Sequence, residues 1–375
     1  MYKFRDTSSE EIDLNNKTAL QTYFAPGIMI SQSMPVIIST LFTTVLGHKL
    51  PVRTRIIASL MIIILIFVIF TVMIKVNTDS WQVGFFVFSM IGLAALNTSL
   101  PVFQVTTLPL VAKFPMQYMH VFLMGQGSAG IFNSLLQIIS LAIGSSIEIS
   151  ALFYFVVGTM LICITMTLYI ISKNMAFYQF YMENSLSEPK TGMFSKAEVK
   201  DIIKDTWPCL AVGMVTIINL LFLQPSVTSL VVSEGYGKGN EWNDTYFVPV
   251  ITYFFNEATG LVGRLTARKG LITHSSRYWW LIIVIGRFFV MVPLIMLCNA
   301  QPRNHLPVWF PHDWQYILIL AILSFTNGFI FNTMFFSVSQ LAPGKEEASL
   351  MVMMCWFGIL MAVSSPLSLI SVHIL

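Results

Sequence analysis

Two side chains of opposite charge, Glu257 and Arg264, stand seven residues apart in a stretch that is otherwise uncharged: Tyr253-Phe254-Phe255-Asn256-Glu257-Ala258-Thr259-Gly260-Leu261-Val262-Gly263-Arg264. On an α-helix this spacing is close to two turns, so both groups fall on one face about 10 Å apart along the axis. Gly260 lies between them. An ionised carboxylate only accepts hydrogen bonds and a guanidinium only donates them. The pair therefore suits a neutral, hydroxyl-rich solute whose donors meet the acid and whose acceptors meet the base. Tyr253 is grouped with them as a solute contact. A competing reading lets Arg264 reach to the inner interface beside Arg268 and Lys269. Arg287, in the middle of Ile285-Gly286-Arg287-Phe288, reads either as a bundle-stabilising partner of a carbonyl or of Glu257, or as a gating residue. Gln104 can hydrogen-bond a solute or a neighbouring backbone. In Gly125-Gln126-Gly127-Ser128-Ala129-Gly130 the small residues point first to close helix packing.

Ionisable groups are costly in hydrocarbon, and hydrocarbon is the medium this chain calls for. Only 10% of its residues are charged and 55% are hydrophobic. Ten apolar stretches, approximately 27–46, 56–74, 82–104, 117–143, 149–172, 206–232, 245–265, 278–298, 314–340 and 348–372, alternate with short polar loops. Runs of roughly 20 apolar residues match a bilayer core of about 30 Å, where a backbone must satisfy its own hydrogen bonds and helices do so. The fold class is all-α: a polytopic membrane helix bundle of about ten transmembrane helices in two groups. Residues 1–26 form a segment on the outer side, 27–172 a first bundle of five helices, 173–205 a cytoplasmic linker and 206–375 a second bundle of five. Within the linker, Phe194 to Lys204 has apolar residues at helical spacing and reads as an amphipathic surface helix or as a partly ordered tether.

Thirteen Lys and Arg residues fall in loops on one side and six on the other. The positive-inside rule then places the N-terminus outside. Two acceptor sequons, at Asn16 and Asn243, lie on that outer side as glycosylation sites. Residues 1–26 lack the apolar core of a cleavable signal. Seven tryptophans mark the water boundary, and only Trp356 sits well inside a stretch. The four cysteines have no metal-ligand spacing. No phosphate-binding glycine loop, nucleophile triad or histidine–carboxylate cluster appears, so neither an enzyme nor an ATP-driven pump is supported. No cofactor or metal is implied, and no nucleic acid partner. The expected partners are the solute and the lipid bilayer, with the oligomeric state open.

Several motifs together resemble the equilibrative nucleoside transporters. They are Gln104, then Phe114-Pro115-Met116-Gln117-Tyr118 and the glycine series 125–130; Tyr246-Phe247-Val248-Pro249 leading to Gly263-Arg264; Arg287 with Val292-Pro293 and Leu297-Cys298-Asn299; and Ser324-Phe325-Thr326-Asn327-Gly328-Phe329. The similarity runs from about residue 27 to the end. It implies a major-facilitator-like bundle of eleven helices that moves nucleosides passively by alternating access, with nucleobases carried by some members and organic cations by one branch. By position, Gln104 and Arg264 become solute contacts and Gly125, Gly127 and Gly130 close-packing sites. The plasma membrane is preferred to a lysosomal or other internal membrane. Two departures stand out. The family's opening helix, with its Trp-Asn motif, has no counterpart, and residues 1–26 resemble the loop after it; a truncated, non-transporting binding form is therefore an alternative. The family's Asp four residues before the Arg is Gly260 here, and its Asn seven residues before is Glu257. Glu257 is expected to take over part of the acid's work, with Gly260 leaving room between the charges, and a cation carrier using Glu257 is the other alternative.

Overall fold

The computed structural model describes residues 19–78, 80–142, 147–186, 196–301, 303, 305–364 and 366–375. The sequon at Asn16 lies outside them. The described chain is helical, with α1 over Ala19–Leu46, α2 over Val52–Lys75, α3 over Gln82–Ala112, α4 over Met116–Ala142, α5 over Ile147–Ser172 and α6 over Ala176–Leu186. The remainder comprises α7 over Lys196–Leu223, α8 over Asn256–Thr266, α9 over Arg277–Met296, α10 over Asp313–Leu341, α11 over Glu346–Ser364 and α12 over Leu367–Ile374. Extended pairing among the described residues is limited to single bridges, Val231 with Ala300 and Cys298 with Phe310. The chain is thus an all-α membrane bundle, and seven of its described helices are long and apolar enough to cross a bilayer. The expected number of ten crossings is not established by these helices.

Two segments differ from their sequence reading. The charged stretch before residue 206 is no separate surface helix, because α7 begins at Lys196 and runs unbroken to Leu223. Its 28 residues span about 42 Å, longer than the apolar core is thick, so the charged end extends beyond it. The expected linker also holds α6. The expected seventh crossing, 245–265, begins as π-helix at Trp242–Tyr246 and Val248–Phe255 and becomes α-helical only at Asn256. The wider i→i+5 bonding changes the side-chain period there.

Packing groups the chain into two units. The first takes Met1–Thr107 and Ser145–Lys190. Its α2 buries Ile56, Ser59, Leu60, Ile63 and Ile66, a stripe at helical spacing, and pairs with α5 through Phe67, Phe70 and Phe155. The second takes Leu108–Gly144 and Thr191–Leu375, so α4 belongs with the later helices, whereas the division by sequence order places it in the first bundle. One core of this unit gathers around Met334, Phe335, Phe336 and Leu350, and another around Phe247, Ile295, Tyr316 and Leu320. Trp356, the tryptophan inside a crossing, satisfies its indole N–H on the Leu210 carbonyl at 3.1 Å.

The tightest joint of the second unit is between α8 and α10. A Cβ at Gly263 would strike the Phe325 carbonyl, and one at Gly328 would strike the carbonyl of Gly260. The two backbones touch because Gly263 and Gly328 lack side chains, the small-residue device by which helices approach in membranes.

Candidate functional site

Glu257 and Arg264 both lie within the α-helical part of their stretch, so the two-turn spacing holds and both meet one neighbour, α4. Arg264 Nη1 donates to the Leu123 carbonyl at 3.2 Å. Its Cδ lies where a Cβ on Gly127 would be only 3.0 Å away. Its guanidinium carbon stands 4.7 Å from the centre of the Phe331 ring on α10, a cation–π contact. The Asn332 amide donates to the Arg264 carbonyl at 3.0 Å. The guanidinium therefore turns inward, away from the exposed Arg268 and Lys269 at the helix end.

The acid sits one glycine further along. A Cβ at Gly130 would fall on the Glu257 carboxyl group and within 2.9 Å of its Cγ. Leu123, Gly127 and Gly130 on α4 thus run opposite Arg264 back to Glu257 on α8, and the two helices are antiparallel at this seam. Unlike the α8–α10 joint, the seam closes through two long side chains resting in glycine notches. The half-buried Glu257 side chain makes no hydrogen bond and joins no ion pair among the described residues. A charged group in mid-helix costs roughly 2.5–3.5 kcal/mol on insertion scales, and the charge that acts on this carboxyl group is Arg264, two turns along the same helix.

The structure brings together only part of the expected set. Gly127 and Gly130 are close-approach sites, and what approaches is the base and the acid themselves. Gly125 is not one: nothing lies within 4 Å of a Cβ built there. Gly260 does not make room between the charges, since a Cβ on it would meet the Ser324 carbonyl of α10 at 3.6 Å. Tyr253 is half-buried in the π-helical segment and has no hydrogen bond among the described residues. Gln104 is exposed on α3 in the first unit.

Arg287 is 8% exposed and tied to α10. Its Nε donates to Thr326 Oγ1 at 2.8 Å, and its Nη2 to the Leu323 carbonyl at 3.0 Å and to Asn327 Oδ1 at 3.1 Å. The carbonyl-partner reading is the one realised, and Glu257 is not among its partners. Asn243 is built into a folded loop. Its Oδ1 accepts from Ser233 at 3.1 Å, and its amide nitrogen rests against Gly235. Asp313, at the start of α10, accepts from Ser233 Oγ at 2.7 Å and from the Glu234 N–H at 2.9 Å, and a glycan on Asn243 would displace this packing.

Sequence reasoning passed over the polar residues behind the acid. Asn256 Oδ1 accepts from Gln224 at 2.8 Å and from Ser324, joining the end of α7 to α8 and α10 one residue before Glu257. Asn332 and Phe331, which fix Arg264, were missed as well. A polar residue within an apolar stretch was the available signal for Asn256 and Asn332.

With this geometry in hand, comparison with known proteins is informative. The sequence profile of the family described as Nucleoside transporter matches residues 90–206 and 190–372. Equilibrative nucleoside transporter 1 of Rattus norvegicus is 27% identical over 389 residues, covering 95% of this chain and 84% of the relative. The Homo sapiens protein of the same name is also 27% identical, covering 90% and 79%. Equilibrative nucleoside transporter 3 of Rattus norvegicus is 24% identical, covering 99% and 83%.

Proposed function

The chain belongs to the nucleoside transporter family, and from that premise we propose that it carries nucleosides down their gradient by alternating access, with Glu257 and Arg264 as the central solute contacts. The family is one of transporters and not of enzymes, and the chain is an integral, multi-pass membrane protein. The observation that carries the site assignment is the α4–α8 seam, where acid and base rest on Gly130 and Gly127 and the acid makes no hydrogen bond among the described residues. Ribose hydroxyls supply donors to the carboxylate. The guanidinium, with one N–H on Leu123, keeps others for solute acceptors. Tyr253 completes the proposed contact set.

The seam also suggests how the site opens. Helices α8 and α10 touch backbone to backbone and move as one piece, while α4 meets α8 through side chains, those of Glu257, Leu261 and Arg264. A solute that takes over their hydrogen bonds shifts the balance between the open and closed seam by its differential affinity for the two. Nothing in the scheme requires an energy source, in keeping with passive exchange. The N-terminus lies on the outer side, and the plasma membrane is the proposed location.

An acid with no hydrogen bond among the described residues favours a second reading, a carrier of organic cations that pair with Glu257. Uptake of radiolabelled uridine and of a quaternary amine into vesicles holding the purified protein separates the two. Saturable uridine entry supports the first, amine entry without uridine entry the second, and saturable binding with no entry of either would identify a non-transporting form. Nucleobases, which keep the base edge but lose the ribose, test how much of the recognition lies in the sugar.

A further inference from the structure

Away from the acid and base, the first unit carries a groove of about 550 Å³ between α2 and α5. Val68 and Val72 line it from one helix and Val156, Met160 and Ile164 from the other. Its rim is open, with Val72 56% and Met160 62% exposed. Two hydroxyls enter it and both already donate within their own helices, Thr71 to the Phe67 carbonyl and Thr159 to the Phe155 carbonyl, each at 2.7 Å. No charged side chain lines it. Apart from the weakly donating thiol of Cys163, the groove thus offers an occupant no free hydrogen-bond donor, and it offers no ion pair.

That chemistry narrows the occupant. A nucleoside, or a peptide in extended form, would leave polar groups unsatisfied there, at several kcal/mol each in order of magnitude. A sterol hydroxyl would find only the lone pairs of two threonine hydroxyls already committed as donors and a weakly polar thiol. A further helix would be expected to approach over small residues, but Gly158 of α5 is already occupied by Phe67, whose ring carbon would lie 2.8 Å from a Cβ there. The rim is instead Val, Met and Ile. The exposed apolar faces of α2 and α5 stand in lipid, since both are long enough to cross a bilayer. A groove of this size lies in the range that accommodates small ligands, about 300–1,000 Å³, and filling it restores dispersion contacts that an empty slot forfeits.

We propose that the groove between α2 and α5 is a binding site for one acyl chain of a bilayer phospholipid. The chain lies along Val72, Val156 and Met160, and the headgroup remains outside the groove.

The test uses the full chain in phosphatidylcholine vesicles containing a small fraction of phosphatidylcholine with a photoactivatable diazirine in mid-acyl chain. Peptide mapping after illumination is expected to show several-fold more labelling at Val156–Ile164, including Cys163, than at equally exposed positions outside the groove such as Leu65 and Leu168. Filling the slot with Met160→Trp or, as a milder change, Val72→Phe is expected to remove that enrichment while uridine uptake persists. Uniform labelling of α2 and α5 would overturn the proposal by showing bulk lipid only. So would preferential labelling by a diazirine sterol over the phospholipid, or cross-links from Cys163 to residues 1–18 or to a second copy of the chain. Because the readout is labelling position, it stands apart from the transport assignment.

Discussion

Replacing Gly130 with alanine tests the seam between α4 and α8 at its narrowest point. The added Cβ would fall on the Glu257 carboxyl group and 2.9 Å from its Cγ, so something must give. The overlapping atoms belong to a long side chain, which can rotate where a backbone could not. Alanine is favoured over glycine in a helix by about 1 kcal/mol, and pushing one side chain off its preferred rotamer costs about 0.5–1.5 kcal/mol. These effects nearly cancel, so the amount of folded protein should barely change. The carboxylate, however, must leave its notch. If it then loses one hydrogen bond to the solute, a charged-group bond of about 1.5–3 kcal/mol, affinity falls about 10- to 150-fold at 1.4 kcal/mol per tenfold. The assay is radiolabelled uridine uptake across a concentration series, normalised to protein in the membrane. A large rise in the half-saturating concentration with normal protein levels is expected, and Glu257→Asp, one methylene shorter, should recover part of it in the double variant. Unchanged uptake by Gly130→Ala would refute the reasoning, and loss of folded protein would show that the overlap is not absorbed by the acid.

The other glycines and polar ties give graded outcomes. Gly125→Ala should be silent in the same assay, because nothing lies within 4 Å of its Cβ. Gly263→Ala and Gly328→Ala meet backbone, so they should part α8 from α10 at an overpacking cost of about 1–3 kcal/mol, seen as a lower unfolding midpoint in detergent. Arg287→Met removes the donor to Asn327 Oδ1 and to Thr326 Oγ1, while the Leu323 carbonyl keeps Thr326 as a donor, at a total of about 1–3 kcal/mol. It should lower the midpoint while leaving the half-saturating uridine concentration of the surviving protein unchanged. Asp313→Ala removes the acceptor of Ser233 and of the Glu234 N–H, and should speed hydrogen exchange across 231–245 with little effect on exchange in α10.

How much of this was legible in the sequence follows from which forces were visible there. Lipid as solvent makes apolar length a strong signal, so helices stand where the long apolar runs lie, and the two-turn spacing of Glu257 and Arg264 survived because both fall in true α-helix. The π-helical turns before Asn256, which include Tyr253, were not legible, since a period of 3.6 is assumed whenever apolar residues are counted. The continuity of α7 through its charged start was hidden because composition changes at residue 206 while helix propensity does not. Glycine roles were the hardest to read. Gly125, Gly127 and Gly130 are alike in sequence, yet one faces open space, one a guanidinium stem and one a carboxylate. What lies opposite is decided by a helix more than a hundred residues away in the chain.

The most direct test of the central claim is uridine exchange in vesicles containing only the purified protein, with no gradient but that of uridine, comparing the native chain with Glu257→Ala. Saturable entry that stops when inside and outside concentrations are equal, and that is abolished in the variant, is the expected result. Accumulation above the outside concentration, absence of entry in the native chain, or undiminished entry in Glu257→Ala would contradict the account.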